Sequence, residues 1–278
     1  MDKIKIITDS TCDLPKDILN DLGVKVVYLS VNINSKSYED GKNITFDELM
    51  EIVDKDEDFP TTSQVTPDVF KEVYEKYLDR GYKIISIHLS SKLSETYQSA
   101  SIAKNILETK DIYIYDSLNA GLGLGLIVKE AAEMVRDGYS LEEVCKNIEK
   151  DISTIKSCIV IEDLVNLIRS GKIGKTLGVL ARVLKIKPII GLLSGEIILL
   201  GRVRGKKAIL NYLIQFIEKN NIDKDSKIYI VYSKGSIILE DIKNYLNNRG
   251  YNFYVSHVGC VIGAYAGKGC TGVFIKND

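Results

Sequence analysis

The chain has 278 residues, of which 45% are hydrophobic and 27% charged, as in an ordinary globular protein with a large core. Its 37 Lys and Arg against 38 Asp and Glu give a net charge of −1, which argues against nucleic acid as a partner. No apolar run approaches the roughly 20 residues that cross a bilayer, so no integral membrane segment is expected. The five scattered cysteines form no C-x-x-C pair and there are two histidines, so we expect reduced thiols, a cytoplasmic location, no metal and no cofactor.

Strands and helices alternate through the first half of the chain. Short apolar runs predict strands, and apolar positions at helical spacing predict the helices between them. The predicted strands are 3–8, 24–31, 83–89 and 112–115, and the predicted helices are 15–22, 45–53, 67–80, 95–107, 119–136 and 141–152. The polar stretch 32–43 is expected to form a loop or an irregular hairpin. This alternation predicts a parallel sheet in a three-layer α/β/α domain.

The second half is less regular. The predicted strands are 157–161, 188–193, 196–203, 227–232, 251–258 and 271–276, and the predicted helices are 164–169, 177–184, 205–219 and 237–249. Ser194-Gly195 separates two of the strands and indicates a hairpin, so this half is expected to be an α/β domain with a mixed sheet. The predicted domains are residues 1–155 and 156–278.

Three hydroxyl-rich loops, 9–13, 61–67 and 90–94, follow strands in the first half. Ligands of open α/β sheets bind at the carboxyl ends of the strands, and hydroxyls with free backbone N–H groups hold anions there. Ser94 could equally cap a helix, and both interpretations stay open. Thr62 and Ser63 precede their helix by several residues, so capping does not explain them and a ligand role is favoured.

No catalytic residue is predicted. His88 lies within a predicted strand and His257 at the end of one, and neither accompanies a G-x-S-x-G motif, so both are expected to be structural. Two clusters of basic residues are interpreted either as solvated surface or as a guide for an acidic partner or phosphate group; they are Arg169, Lys172 and Lys175, and Arg202, Arg204, Lys206 and Lys207. The residues alone predict an α/β protein with a polar site of the size of a small anion.

An ordered set of motifs resembles the DegV family of bacterial lipid-binding proteins. The resemblance runs from residue 4 to the end of the chain, which is more specific than any single motif. Its main stretches are I-T-D-S-T-C-D-L-P (7–15), T-S-Q-V-T-P (62–67), S-S-K-L-S-E-T-Y-Q-S-A (90–100), I-R-S-G-K-I (168–173), G-R-V-R-G-K-K-A (201–208) and V-I-G-A-Y-A-G-K-G (261–269).

The resemblance implies two α/β domains that hold one long-chain fatty acid between and within them. Some such proteins are the acyl-carrying subunit of a bacterial fatty acid kinase. They present the carboxylate to a separate ATP-binding kinase protein, which forms acyl phosphate for phospholipid synthesis. The chain is therefore expected to be a lipid-binding protein rather than an enzyme.

By the same resemblance, the hydroxyls of Thr62 (or Ser63) and Ser94 hold the carboxylate. Tyr265 stands where the family usually carries a histidine beside the carboxylate, and it is expected to contribute to the ligand site as a neutral donor.

The resemblance also assigns places to the basic residues. Arg204 matches the arginine near the surface that faces the kinase, and Arg169 and Lys172 match a basic turn near the mouth of the lipid tunnel. All three are therefore expected to bind the partner protein. Two other classes remain as alternatives: an enzyme acting on a small anionic substrate at the same loops, and a protein-interaction module built on the basic clusters.

Overall fold

The computed structural model describes residues 2–55, 59–162, 164–172, 186–222 and 226–276. Within them, strands β1 to β13 are Lys3–Asp9, Lys25–Val27, Ser30–Ile33, Lys36–Glu39, Thr61–Ser63, Tyr82–His88, Ile112–Asp116, Ile155–Val160, Lys187–Leu193, Glu196–Val203, Lys227–Tyr232, Asn252–His257 and Thr271–Lys276. Helices α1 to α10 are Lys16–Asp21, Phe46–Lys55, Pro67–Leu78, Thr96–Leu107, Leu122–Arg136, Leu141–Thr154, Val165–Arg169, Lys206–Lys219, Leu239–Arg249 and Cys260–Ala266. The predicted helix 177–184 and the basic residue Lys175 lie outside the described residues.

The first sheet is entirely parallel, with strand order β2-β1-β6-β7. Helices α3 and α4 pack together on one face, and α5 contacts β1 and β6 from the other. The strands are nearly continuous apolar runs in the sequence, because crossover helices cover both faces of a parallel sheet. The predicted three-layer parallel arrangement is confirmed.

The second sheet has the order β10-β9-β8-β13-β11-β12. Only β11 and β12 run parallel; the other neighbours are antiparallel, so the predicted mixed sheet is confirmed. The expected hairpin is present, with Leu193 opposite Glu196 across the turn at Ser194-Gly195. Helices α8 and α9 contact each other and strands of this sheet.

Helix α5 lies between the two sheets and contacts β1 and β6 of one and β8 and β11 of the other. A helix that is apolar on every side must be enclosed on every side, and residues 122–128 of α5 are apolar and all buried. Gly125 permits the closest approach, since a Cβ there would overlap the carbonyl of Cys12. One cluster of buried side chains therefore includes both Ile85 and Phe274, and the domain division at residue 155 stays a prediction.

The region around residues 24–63 differs from expectation. The predicted strand 24–31 is two strands, β2 in the first sheet and β3 in a small antiparallel sheet of order β4-β3-β5. For the stretch 32–43 the hairpin, one of the two forms expected, is present: the stretch supplies β4, which pairs with β3. Strand β5, of sequence T-T-S, carried no apolar alternation and was not predicted. Helix α10 was also missed, because its glycines suggested a loop.

A chain of buried hydrogen bonds ties β1 to β6 and α3. Tyr74 Oη donates to Ser86 Oγ at 2.8 Å, and Ser86 Oγ lies 2.7 Å from Nε2 of His88. Nδ1 of His88 lies 3.1 Å from Asp9 Oδ2, while Thr11 donates to Asp9 Oδ1. All five residues are fully buried. Because Tyr74 already donates to Ser86, the consistent pattern has Ser86 donating to Nε2 and the Nδ1 proton directed at Asp9.

Replacing His88 by leucine is expected to lower the free energy of unfolding by about 3–5 kcal/mol, because Asp9 is left buried without its ring partner. Urea unfolding measures this loss. His257→Leu is the control: His257 is only partly buried and packs between Phe46 and Tyr232. Its loss is expected to stay within about 1 kcal/mol. Similar losses for the two variants would contradict the structural role given to His88.

Candidate functional site

A cavity of about 510 Å³ lies between the carboxyl ends of the first sheet and one face of the second. Its walls come from the loops after β1, β2, β6 and β7, from strands β5, β8, β9, β10, β11 and β13, and from helices α7 and α10. The volume is in the range that encloses one small-molecule ligand. The place agrees with the expectation that ligands of such sheets bind beyond the strand ends.

Strand β5 decides which of two adjacent hydroxyls faces the cavity. Thr62 pairs with the fully buried Val31 of β3, and its half-buried side chain lines the cavity. Side chains alternate across a strand, so Ser63 points to the opposite face. Ser63 is exposed, and its Oγ accepts a hydrogen bond of 2.9 Å from Asn32.

Tyr265, near the end of α10, meets Thr62 through a direct contact between the two hydroxyl oxygens. Burial raises the pKa of Tyr265, and the contact with Thr62 only partly opposes this, so the phenol is neutral near pH 7. With one proton shared in the contact, the other hydroxyl proton remains free to be donated. The pair can therefore bind an anion placed beside it.

Ser94 lies on the loop between β6 and α4, in the cavity wall. Its Oγ accepts a hydrogen bond of 3.3 Å from the backbone N–H of Thr96 and lies 3.0 Å from the Thr96 hydroxyl. Both interpretations of Ser94 therefore have a structural basis: the oxygen accepts from the first turn of α4, and the hydroxyl proton can still be directed at a ligand.

Lys172 also lines the cavity, after the end of α7. Its ammonium donates to the carbonyl of Leu93, next to Ser94, and lies 5.3 Å from the centre of the Tyr265 ring. An ammonium at this distance from an aromatic ring makes a favourable cation–π contact. Burial lowers the pKa of Lys172. Sequence reasoning gave Lys172 to the partner surface and did not anticipate its contact with Tyr265.

The remainder of the cavity is apolar apart from a few polar groups at its rim and one buried carboxyl group, that of Asp13. The apolar side chains are Leu29, Leu89, Leu93, Ala120, Ile159, Ile161, Leu167, Ile190, Leu192, Ile197, Val231, Val258, Val261, Ile262, Ala266, Cys270 and Phe274. A polar end with a cation and an apolar body together suit an amphiphilic anion.

The other two predicted basic residues lie outside the cavity wall. Arg169 is exposed at the end of α7, with its guanidinium 5.7 Å from the centre of the Phe59 ring. Arg204 is exposed directly after β10, an eight-residue strand that spans about 25 Å. The hairpin at the other end of β10 accepts a 2.8 Å hydrogen bond from Ser90 at the carbonyl of Gly195.

One hydrogen-bonded series resembles a serine-hydrolase triad: Ser86 contacts His88, which contacts Asp9. Sequence reasoning missed this series. The spacing S-x-H on one strand, which puts both side chains on one face, was the available signal. The three side chains are fully buried, and none lines the cavity. Among the described residues, no group of His, Cys, Asp and Glu is arranged to hold a metal ion, and no helix could cross a membrane.

Similarity to known proteins extends over the whole chain. Residues 3–278 match the family described as "Uncharacterised protein, DegV family". A DegV domain-containing protein of Clostridium acetobutylicum is 41% identical over 274 residues, which cover 99% of this chain and 98% of that protein. Another, from Clostridium perfringens, is 39% identical over 278 residues, which cover 100% of both chains.

Solved structures share the fold described above. A DegV family protein from Thermus thermophilus, described by its fatty acid binding, has a TM-score of 0.92 at 32% identity and covers 99% of this chain and 100% of its own. DegV of Bacillus subtilis, a fatty acid binding protein, has a TM-score of 0.88 at 26% identity, with 99% and 100% covered. The match in sequence and in fold spans both sheets and the cavity between them, and the chain therefore belongs to the DegV family.

Proposed function

We propose that this protein binds one long-chain fatty acid, with the tail in the apolar body of the cavity and the carboxylate at its polar end. The observation that carries the proposal is the division of one cavity into these two parts. The fatty-acid-binding proteins of the same family and fold support it. A small polar anion would leave most of this cavity surface without a matching ligand group.

The tail supplies most of the binding free energy. Burying about 15 carbons of a C16 chain at about 0.8 kcal/mol each contributes roughly 12 kcal/mol before costs. Association and ordering of the chain oppose this by several kcal/mol. The remainder is enough for the fatty acid to stay bound through purification.

The head group is held by neutral donors and one cation. The pair Thr62–Tyr265 approaches the carboxylate from one side and Ser94 from the other. Lys172 contacts both sides, through the Tyr265 ring and through the carbonyl of Leu93, so its charge is placed to compensate the carboxylate. Ser63, exposed on the opposite face of β5, is left out of the ligand site in this proposal.

Protein made in bacteria is expected to carry about one acyl chain per molecule, as a single enclosed cavity predicts. Native mass spectrometry gives the stoichiometry, and organic extraction followed by mass spectrometry identifies the lipid. Protein that is free of lipid and also fails to bind added palmitic acid would refute the proposal.

Replacing Lys172 by methionine is expected to weaken fatty acid binding about tenfold or more, since a charge-assisted contact to the carboxylate is lost. Displacement of a fluorescent fatty acid measures the change. Affinity of the parent protein is expected to fall as the pH rises through the lowered pKa of Lys172, because the neutral amine no longer attracts the carboxylate. The variant should lack that part of the pH dependence.

Lys268→Met is the matched control. Lys268 pairs with Asp54 at the surface and does not line the cavity, so both affinity and pH dependence are expected to match those of the parent. If Lys172→Met and Lys268→Met bind equally well at every pH, Lys172 has no part in holding the head group.

We further propose that the bound acid is presented to a separate cytoplasmic kinase that forms acyl phosphate for phospholipid synthesis. The chain then acts as a non-catalytic subunit, in keeping with the burial of its only triad-like group within the described residues. Arg204 and Arg169 are exposed cations, suited to acidic groups of a partner or to a phosphoryl group. They would guide the encounter rather than hold the tail.

Arg204→Ala is expected to leave the fatty acid content intact and to lower acyl-phosphate formation with the cognate kinase, most clearly at low salt. A kinase assay at several ionic strengths measures this. Arg136→Ala is the control, since Arg136 ends α5 about 20 Å along that helix from the cavity. If both variants and the parent form acyl phosphate at the same rate at low salt, Arg204 has no part in the encounter with the kinase.

A further inference from the structure

Residues of three neighbouring strands form the floor of the cavity on the second sheet. Gly272 of β13 pairs with Ile159 of β8 on one side and with Val231 of β11 on the other. Directly paired residues point to the same face of a sheet, and both flanking side chains line the cavity. A Cβ at Gly272 would come within 2.9 Å of Val231 and 3.0 Å of Ile159, so these side chains close the space over the glycine.

Phe274 belongs to the next row of this floor, two residues further along β13. Its paired neighbours are Ser157 of β8 and Tyr229 of β11, and neither of these two lines the cavity. Phe274 does line the cavity, although only 1% of the residue is exposed. Along β13, the cavity therefore ends against the Phe274 ring.

The space behind the Phe274 ring is filled by charged groups. Lys276 follows on the same face of β13, since side chains alternate along a strand. It forms ion pairs with Glu130 of α5 and Asp151 of α6, and Asp151 is 1% exposed. An alkyl chain that displaced these groups would leave buried charges without partners, which is strongly unfavourable. The tail of a fatty acid therefore cannot continue past the ring.

The distance from the polar end of the cavity to this ring corresponds to the length of a fatty acid tail. Tyr265 packs against the buried cluster that contains Cys270, and Cys270 lines the cavity four residues before Phe274. Four residues of extended chain span about 13 Å. An alkyl chain with C–C bonds of about 1.5 Å advances about 1.25 Å per carbon, so about eleven carbons cover this distance. With the carboxyl group and the few carbons beside Tyr265 added, the end of a chain of roughly 14 to 16 carbons reaches Phe274.

We propose that Phe274 is the end wall of the fatty acid site and limits the ligand to chains of about 16 carbons. The proposal rests on the proposed fatty acid binding and specifies the class of fatty acid. A longer chain has to fold within the cavity or leave methylene groups outside it, and either loses part of the apolar burial. Shorter chains bury fewer carbons, so affinity is expected to be highest for chains that end at the ring.

The test lets two saturated acids compete for the full chain. Phosphatidylcholine vesicles that contain equal amounts of hexadecanoic acid and the longer icosanoic acid are mixed with lipid-free protein, and the bound acids are extracted and quantified by mass spectrometry. A bilayer buries both tails, so the ratio of bound acids measures their fit to the cavity. The parent protein is expected to prefer hexadecanoic acid about tenfold or more, since a misfit of one methylene group in an apolar pocket already changes binding by about that factor.

Two outcomes in the parent protein contradict the inference in different ways. Equal binding of both acids would overturn this proposal alone. Failure to bind either acid, with or without vesicles, would overturn the proposed function as well.

Substitutions at Phe274 identify the wall. Phe274→Leu shortens the side chain, so the end of the cavity moves back and the share of icosanoic acid is expected to rise about tenfold. Phe70→Leu is the matched control. Phe70 is fully buried against Tyr74 and His88 in the first half of the chain and does not line the cavity, so the ratio is expected to stay that of the parent.

Phe274→Met covers the case in which Phe274→Leu does not fold, because methionine stays close to the volume of the ring and its flexible side chain can move aside for a ligand. A larger share of icosanoic acid in either Phe274 variant, with none in Phe70→Leu, supports the end wall. If the folded Phe274 variants keep the ratio of the parent, or if Phe70→Leu shows the same rise, Phe274 does not limit the chain length.

Discussion

Helix α5 is the constraint on which the rest of this structure depends, because this one buried helix packs against both sheets at once. Its apolar residues on every side bring the face of the second sheet against the first. The first sheet is parallel, so the loops after its strands gather at the end where α5 begins. Gly121, which directly precedes this helix, lies in the cavity wall, and the head-group loops and the apolar face of the second sheet meet there.

Local patterns predicted most of the fold because the strands are buried runs and the helices have regular apolar spacing. The bounds of β11 and β13 agree with the predicted 227–232 and 271–276. Failures fall where tertiary contacts override local pattern. Three polar residues form β5 because they pair with the edge of β3. A glycine-rich stretch forms α10 because it packs against the small sheet, beside the cavity.

The site was predictable only in part, for a similar reason. Hydroxyl-rich loops pointed to Thr62, Ser63 and Ser94, but the pleat of β5 separates the first two, and the pleat becomes known only with its partner strand. The contacts of Lys172 with Leu93 and Tyr265 join residues far apart in the sequence. Asp13 looked like part of a loop motif, and only the fold shows that it belongs to the cavity wall and accepts the backbone N–H of Gly259.

Helix α10 is held at both ends by side chains from the first half of the chain. Asp13 and Asp40 accept the N–H groups of Gly259 and Cys260 at its start, and Thr62 contacts Tyr265 near its end. Both acids are buried, and burial opposes their ionisation: it raises the pKa of Asp13 and raises that of Asp40 to about 6. The two carboxyl groups can therefore accept these N–H groups without both being negatively charged. These anchors fix the cavity wall that carries Tyr265 relative to the loops of the first half, so the position of the polar end of the cavity follows from the fold.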